Sequence, residues 1–246
     1  MKIFLAGATG VIGRRLVPLL RAARYSVAGT TRSADKVPEL KSSGVQAVVV
    51  DVFNADVLRD AVVRVRPDVV IHQLTDLPQV LEQSRLAETL KLNCRLRIEG
   101  TANLVAAARA AGAKRLIAQS IAFAYAPGPE PHAESDPLAS AEGDAPSAIT
   151  ARGVRALEEA VLNAPGITGI VLRYGRLYGP GTWFETATGR GPLHVDAAAQ
   201  AAFFAVTRGR PGIYNIAEDD GALTVGKARS ELGFNPNFRL PVKTAY

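Results

Sequence analysis

Short apolar runs rich in β-branched residues alternate along the first half of the chain with longer stretches whose apolar positions recur every three or four residues. That alternation predicts a parallel sheet wound with helices on both faces. Strands are expected at Lys2–Ala6, Ser26–Thr30, Ala47–Val50, Val69–His72, Arg115–Ala118, Gly169–Arg173 and Gly212–Asn215. A first helix from about Val11 to Ala23 turns Val11, Ile12, Leu16, Leu19 and Leu20 inward. Pro18 lies inside it and should kink it or cost up to about 3 kcal/mol. A long helix from about Ser84 to Ala111 carries Leu86, Leu90, Leu96, Thr101, Leu104, Val105 and Ala108, with a possible break at Gly100. From Ala126 to Pro146 the chain turns to Pro, Gly, Ser and acidic residues, too long for a tight connection. Loops of that length are functional lids or simply mobile. After Ile216 the sequence offers one helix around Val225 to Leu232 and a Pro-rich tail.

The most informative junction is the first. Gly7-Ala8-Thr9-Gly10-Val11-Ile12-Gly13 follows directly on the strand Ile3–Ala6, where strand must hand over to helix. In such a turn Gly7 permits the tight bend, Gly10 lets the backbone approach a ligand, and Gly13 lets helix pack on strand. The helix start then offers unpaired N–H groups and partial positive charge to a dinucleotide pyrophosphate. Position carries this reading, since the motif alone is cheap in a chain with 22 glycines.

Composition narrows the classes. With 246 residues, 48% apolar and 21% charged, the chain suits one large α/β domain. No run reaches the roughly 18 apolar residues of a membrane span, and the N-terminus reads as strand rather than signal peptide, so a cytoplasmic protein is expected. A single cysteine, Cys94, excludes an internal disulfide and reads as packing. The net charge of +6 comes from scattered arginines. With no basic run or stripe, it argues for a solvated surface and against nucleic acid. No His, Cys and carboxylate spacing supports a metal site.

With the glycine turn in place, the chain resembles the extended short-chain dehydrogenase/reductases, the NAD(P)-dependent epimerase/dehydratase family. Asp51, followed by Val52, resembles the acidic residue that pairs with adenine; Ile71-His72-Gln73, followed by Leu74, is similar to the segment behind the cofactor ribose. Asn93 falls where the family keeps an asparagine, followed by Gly100-Thr101-Ala102-Asn103-Leu104. Leu172-Arg173-Tyr174-Gly175-Arg176-Leu177-Tyr178-Gly179-Pro180-Gly181 looks like the stretch between nicotinamide and substrate, and His194-Val195-Asp196 like the motif opening the next helix. The resemblance implies a Rossmann-like fold over residues 1–246, with small substrate-side elements at about 175–195 and 216–246. It implies cofactor contacts from Gly7, Thr9, Gly10, Val11, Ile12, Gly13, Asp51, Val52, Gln73, Leu74, Asn93, Ser120 and Tyr174. At the end of the second strand Thr31-Arg32-Ser33, with Lys36 a turn later, offers a cation where an NAD enzyme places a carboxylate. NADP(H) is therefore expected, Arg32 and Ser33 holding the 2′-phosphate, with NAD(H) as the alternative.

The family's acid–base pair is missing. It needs a tyrosine with lysine four residues on, whose ammonium lowers the phenol pKa. None of the six tyrosines has lysine at i+4, and no lysine stands between Lys114 and Lys227. With Glu158 matched to the family's helix glutamate, the tyrosine position falls on Thr150 and the lysine position on Val154. The hydroxyl after the fifth strand is replaced too: Ile121 holds its place, and Ser120 faces the other way unless the strand end is irregular. Ser120, Tyr125 and Thr150 are the candidates for chemistry, with Tyr174, Tyr178, Arg152, Arg155 and His194 as possible substitutes; for each an ordinary structural role is the alternative. His72 reads as a hydrogen-bonded core residue, and Trp183 with Phe184 as an apolar wall or small lid. Only about a dozen residues separate Gly181 from His194, too few to grip a sugar nucleotide. The expected function is an NADP(H)-dependent oxidoreductase on a small carbonyl or alcohol, homo-oligomeric or not. The competitors are a cofactor-binding protein without turnover and a sugar-nucleotide epimerase or dehydratase.

Overall fold

The computed structural model describes residues 1–78, 80 and 82–241. The chain runs β1 (Lys2–Ala6), α1 (Val11–Ala22), β2 (Ser26–Thr31), α2 (Val37–Ser42), β3 (Gln46–Val49), α3 (Ala55–Val65) and β4 (Val69–His72). It continues α4 (Leu86–Arg95), α5 (Thr101–Ala110), β5 (Arg115–Ile121), α6 (Pro146–Leu162), β6 (Thr168–Tyr174), β7 (Arg176–Tyr178), β8 (Pro192–His194), α7 (Val195–Ala205) and β9 (Gly212–Ile216). Seven strands form one parallel sheet in the order β3-β2-β1-β4-β5-β6-β9. The order reverses between β1 and β4, and a crevice at such a switch point, beyond the carboxyl ends of the strands, is where doubly wound sheets take ligands.

Strand alternation divides the core. Ile3 and Leu5 face α1 and α7 with Ile12, Leu16, Leu20 and Ala198. Phe4 and Ala6 face the other layer with Leu58, Val62, Leu104, Leu157 and Val161. Neighbouring residues of a strand point to opposite sides, so a run apolar throughout is buried on both faces.

Three of the expected elements take on detail. The helix α1 runs on through Pro18, which sits on its exposed side where water can satisfy the carbonyl left without a donor. Gly100 does not break the long helix; a π-helical turn at Leu96–Gly100 joins α4 to α5. There a Cβ would meet Leu96 Cδ1 at 2.9 Å and Val52 Cγ1 at 3.1 Å, so glycine serves close packing. The acidic Pro/Gly loop is folded back on its start: Tyr125 bridges Leu138, and His132 bridges Leu223. A two-stranded β7–β8 pair adds an element the sequence did not signal. The end of the expected C-terminal element, 242–246, lies outside the described residues.

Candidate functional site

The glycine turn stands at the switch point. Gly7 adopts φ +90°, and a Cβ on it would lie 2.6 Å from the Gln73 carbonyl oxygen. Its N–H donates to Thr30 Oγ1 at 3.1 Å, and Gly10 N–H donates back to Gly7 O at 3.1 Å. Gly13 is tighter still, its notional Cβ 2.2 Å from Gly7 O. Gly10 differs, since its Cβ would meet only Gly7 O at 3.3 Å and otherwise fill open space. Thr9 is half-buried beside it, Val11 packs partly on the core, and Ile12 is buried within it, so these residues offer a ligand their main chain. The start of α1 has no side-chain cap and no acidic residue in its first turn. Unpaired amides around a space that a side chain would fill fit the diphosphate of a dinucleotide.

Around this turn the expected cofactor residues divide into open and structural ones. Arg32 is exposed at the end of β2, its guanidinium 3.1 Å from Asp76 Oδ1. The Ser33 hydroxyl donates to Asp35. Asp51 is exposed and accepts from Phe53 N–H, while Val52 is buried and its carbonyl accepts from Asn103 Nδ2. Asn93 is buried, and its Oδ1 accepts from Asp76 N–H at 3.0 Å, fixing the loop after β4 from the helix above. Leu74 O accepts from Gln119 Nε2. Gln73 Nε2 donates to Tyr174 OH at 3.2 Å, and Gln73 Oε1 is buried with no partner among the described residues. Tyr174 does not stand open to a ligand: its phenol is buried between Gln73 and the Ala198 carbonyl. Burial drives its pKa well above that of a free phenol, so it supports Gln73 and is no acid near neutral pH.

His72, at the end of β4, is fully buried. Its Nδ1 accepts from Leu74 N–H at 3.2 Å, so Nε2 carries the proton, 3.0 Å from Thr101 Oγ1. Burial, and then the charge of Arg97, pull its pKa down to about 4. The unfolded chain therefore binds this proton more readily, and the stability from a neutral His72 is complete above the unfolded pKa of 6.5 and lost as pH falls toward 4. Urea unfolding at pH 7 and pH 4.5 should differ by about 2–3 kcal/mol from this group. His72→Gln should remove that part of the slope; an equal slope in the variant would place it elsewhere.

The candidates for chemistry are not assembled as a triad. Unbroken pairing of β5 with β6 through Ile121 keeps Ser120 pointing away from Ile121, into the layer of α6. There Ser120 Oγ donates to Glu158 Oε1 at 2.7 Å. Tyr125 OH donates to Asn215 Oδ1 at 2.7 Å and accepts from Arg173 Nη1 at 2.8 Å, while burial raises its pKa. Ser120 and Tyr125 are thus joined through the bidentate Arg173–Glu158 pair, with Nη2 2.7 Å from Oε2 and Nε 2.9 Å from Oε1. Thr150 stands apart, half-buried on α6. Arg152 and Arg155 clasp carbonyls of the 138–143 segment. His194 caps α7 by accepting from Asp196 N–H, and Asp196 pairs with Arg15 at 2.8 Å. Burial, followed by the charge of Arg239, lowers the His194 pKa. Tyr178 donates to Glu218. Trp183 and Phe184 are both exposed, and Trp183 Nε1 donates to the Pro78 carbonyl at 3.0 Å. Among the described residues no cluster of His, Cys, Asp and Glu is placed to hold a metal ion, and no helix is long and apolar enough to cross a membrane.

A family model described as the NAD dependent epimerase/dehydratase family matches residues 3–192. The chain belongs to that family. A curated relative, the 3-diazoavenalumate denitrifying reductase of a Streptomyces species, is 41% identical over 242 residues, covering 90% of this chain and 77% of the relative. Among solved structures, the UDP-glucose 4-epimerase of Thermotoga maritima with UDP-glucose superposes with a TM-score of 0.77 at 18% identity, covering 97% of this chain and 94% of that one. The Thermus thermophilus UDP-glucose 4-epimerase in complex with NAD gives 0.75 at 20% identity, covering 98% and 95%. At those identities the likeness is one of fold.

Within this epimerase/dehydratase-family chain, the positions that the sequence matched to hydroxyl, tyrosine and lysine are Ile121, Thr150 and Val154. Val154 is fully buried in an apolar cluster with Ala124 and Leu138, on which Ile121 and Tyr125 pack. Sequence reasoning missed His132, which stacks on Tyr125 at 5.0 Å with rings 9° apart and is oriented by Asp136 at 3.1 Å. It also missed Asn215 and Glu134, which lock Tyr125 and the loop to β9. No sequence pattern marks these residues, because their partners lie 4 to 90 positions away.

Proposed function

We propose that this chain is an NADP(H)-dependent reductase that transfers hydride to a small substrate needing no proton from the protein. A carbon-bound diazo group on a carboxylate, the class named for the 41%-identical relative, is the first candidate. The observation that carries the reading is the site's lack of an ionisable side chain at Ile121, Thr150 and Val154. The main-chain amides of Val11 and Ile12 at the uncapped start of α1 would hold the diphosphate, and Arg32 with Ser33 would receive the 2′-phosphate, Arg32 giving up Asp76 for it. When bound, the nicotinamide supplies two electrons and one hydrogen as hydride.

A carbonyl that accepts hydride becomes an alkoxide, a new anion that requires an acid or a strong hydrogen-bond donor. Ile121 and Val154 provide neither. A diazonium, R–N⁺≡N, behaves differently. Hydride on its outer nitrogen gives neutral R–N=NH; the C–N bond then breaks, dinitrogen leaves, and the N–H hydrogen ends on carbon. Positive charge moves but no charge pair is created, so an apolar wall suffices.

The test uses NADPH deuterated on one C4 face with benzenediazonium, alongside a panel of aldehydes, ketones and quinones. Benzene formed one for one with the NADPH oxidised, slowed by deuterium on one C4 face only, with carbonyls inert, is the expected result. Carbonyl turnover at a comparable rate would restore the conventional oxidoreductase reading. No turnover at all, with NADPH still bound, would favour a binding protein without catalysis, which the missing tyrosine and lysine also suit. For the cofactor, Arg32→Ala should weaken NADPH binding about tenfold and leave NADH unchanged; equal losses for both would remove the NADP preference.

A further inference from the structure

Beyond the ends of β5 and β6 lies a cavity of about 190 Å³ lined by Phe123, Tyr125, Glu130, His132, Arg176 and Arg190, among others. It shares Tyr125 with the apolar cluster containing Val154, and so adjoins the wall assigned above. Its charges are unequal. Arg190 pairs with Glu130 and lies 4.0 Å from Asp220, so its charge is answered within the protein. Arg176 stands over the Phe123 ring, 5.1 Å from the centroid, and has no carboxylate partner among the described residues. Asp136 fixes the His132 ring, which lies flat against Tyr125. Phe123 is half exposed, a large apolar face left uncovered at the cavity.

One unanswered guanidinium beside three aromatic rings selects a ligand that is planar and anionic at one end. We infer that this cavity seats an aromatic carboxylate, with Arg176 taking the carboxylate and Phe123 and the Tyr125–His132 stack bounding the ring. The inference rests on the proposed reductase reading and gives its substrate a chemical class and an anchor. Size supports it: the cavity is smaller than the roughly 300 Å³ at which pockets for drug-sized ligands begin, so one ring with a short acidic arm fits and a sugar nucleotide does not. Arg176 is a binding and specificity residue here, remote from any proton transfer.

The probe is cinnamate, titrated by calorimetry into the full chain saturated with NADP⁺, with methyl cinnamate and UDP-glucose as comparisons. Cinnamate should bind and UDP-glucose should not displace it. Methyl cinnamate should bind about tenfold or more weaker, and Arg176→Ala should lose the same factor for cinnamate while binding the ester as the parent does. Arg176 is exposed, so the variant should keep its thermal midpoint; Arg176→Lys should recover part of the affinity. Unchanged cinnamate affinity in Arg176→Ala, equal affinity for acid and ester, or no binding of cinnamate at millimolar concentration would each overturn the assignment. Benzenediazonium has no carboxylate, so the deuterium experiment reports on the reductase reading alone. Benzene formation with Arg176-independent cinnamate binding sinks only the pocket, and Arg176-dependent binding without benzene formation sinks only the reaction.

Discussion

Alanine at Gly13 should lower stability and dinucleotide binding together, whereas alanine at Gly10 should separate the two. A Cβ at Gly13 would lie 2.2 Å from Gly7 O and 2.7 Å from Ala8 O, both main-chain atoms that no rotamer change can move. Alanine inside a helix normally gains up to about 1 kcal/mol over glycine. Here overpacking against fixed backbone outweighs that gain and costs about 3 kcal/mol net. Gly10 has ordinary backbone angles, φ −75° and ψ 174°, and its Cβ would enter open space apart from a 3.3 Å contact with Gly7 O. Gly10→Ala should therefore stay within about 1 kcal/mol of the parent in urea. Its methyl group would stand where the diphosphate must approach, and NADPH affinity should fall at least a hundredfold by fluorescence titration. Normal NADPH binding by Gly10→Ala would show that the turn is not the seat of the cofactor.

Loss of Arg173 should be the largest single side-chain effect on stability. Its guanidinium and the Glu158 carboxylate are almost wholly buried, at 4% and 7% side-chain exposure, so neither has water to fall back on. Arg173→Leu strands Glu158 and removes a donor to Tyr125 OH and to the Glu134 carbonyl. Breaking such a pair costs about 3–5 kcal/mol, a third or more of the roughly 5–15 kcal/mol that keeps a domain folded. Arg173→Leu combined with Glu158→Leu should cost clearly less than the sum of the two single changes, because no charge is left stranded. The recovery should be partial, since Ser120 and Tyr125 still lose partners. Urea unfolding of the four proteins decides it; additive costs would mean that the two side chains do not act as a pair.

The strands were legible because burial on both faces leaves a continuous apolar run with turn residues at its ends. Predicted and observed bounds agree to within a residue or two, except that β5 extends three residues further, to Ile121. That extension decides the chemistry at Ser120, since a regular strand keeps it facing Glu158. The pair β7–β8 was missed because three-residue strands have no readable period. The π turn before Gly100 was read as a possible break, since glycine weakens a helix pattern whatever its reason for being there.

By itself the sequence determined the alternation of strands and helices, the glycine turn between the first of them, and the absence of a tyrosine–lysine pair. Each is a property of residue identity and short spacing, which a linear chain displays in full. Only the tertiary structure decided that Tyr174 is buried support, that Ser120 and Tyr125 share the Arg173–Glu158 pair, and that Arg176 faces a cavity without a counter-charge. Those facts depend on which distant segments the sheet order brings together, and on how much water each group keeps once they meet.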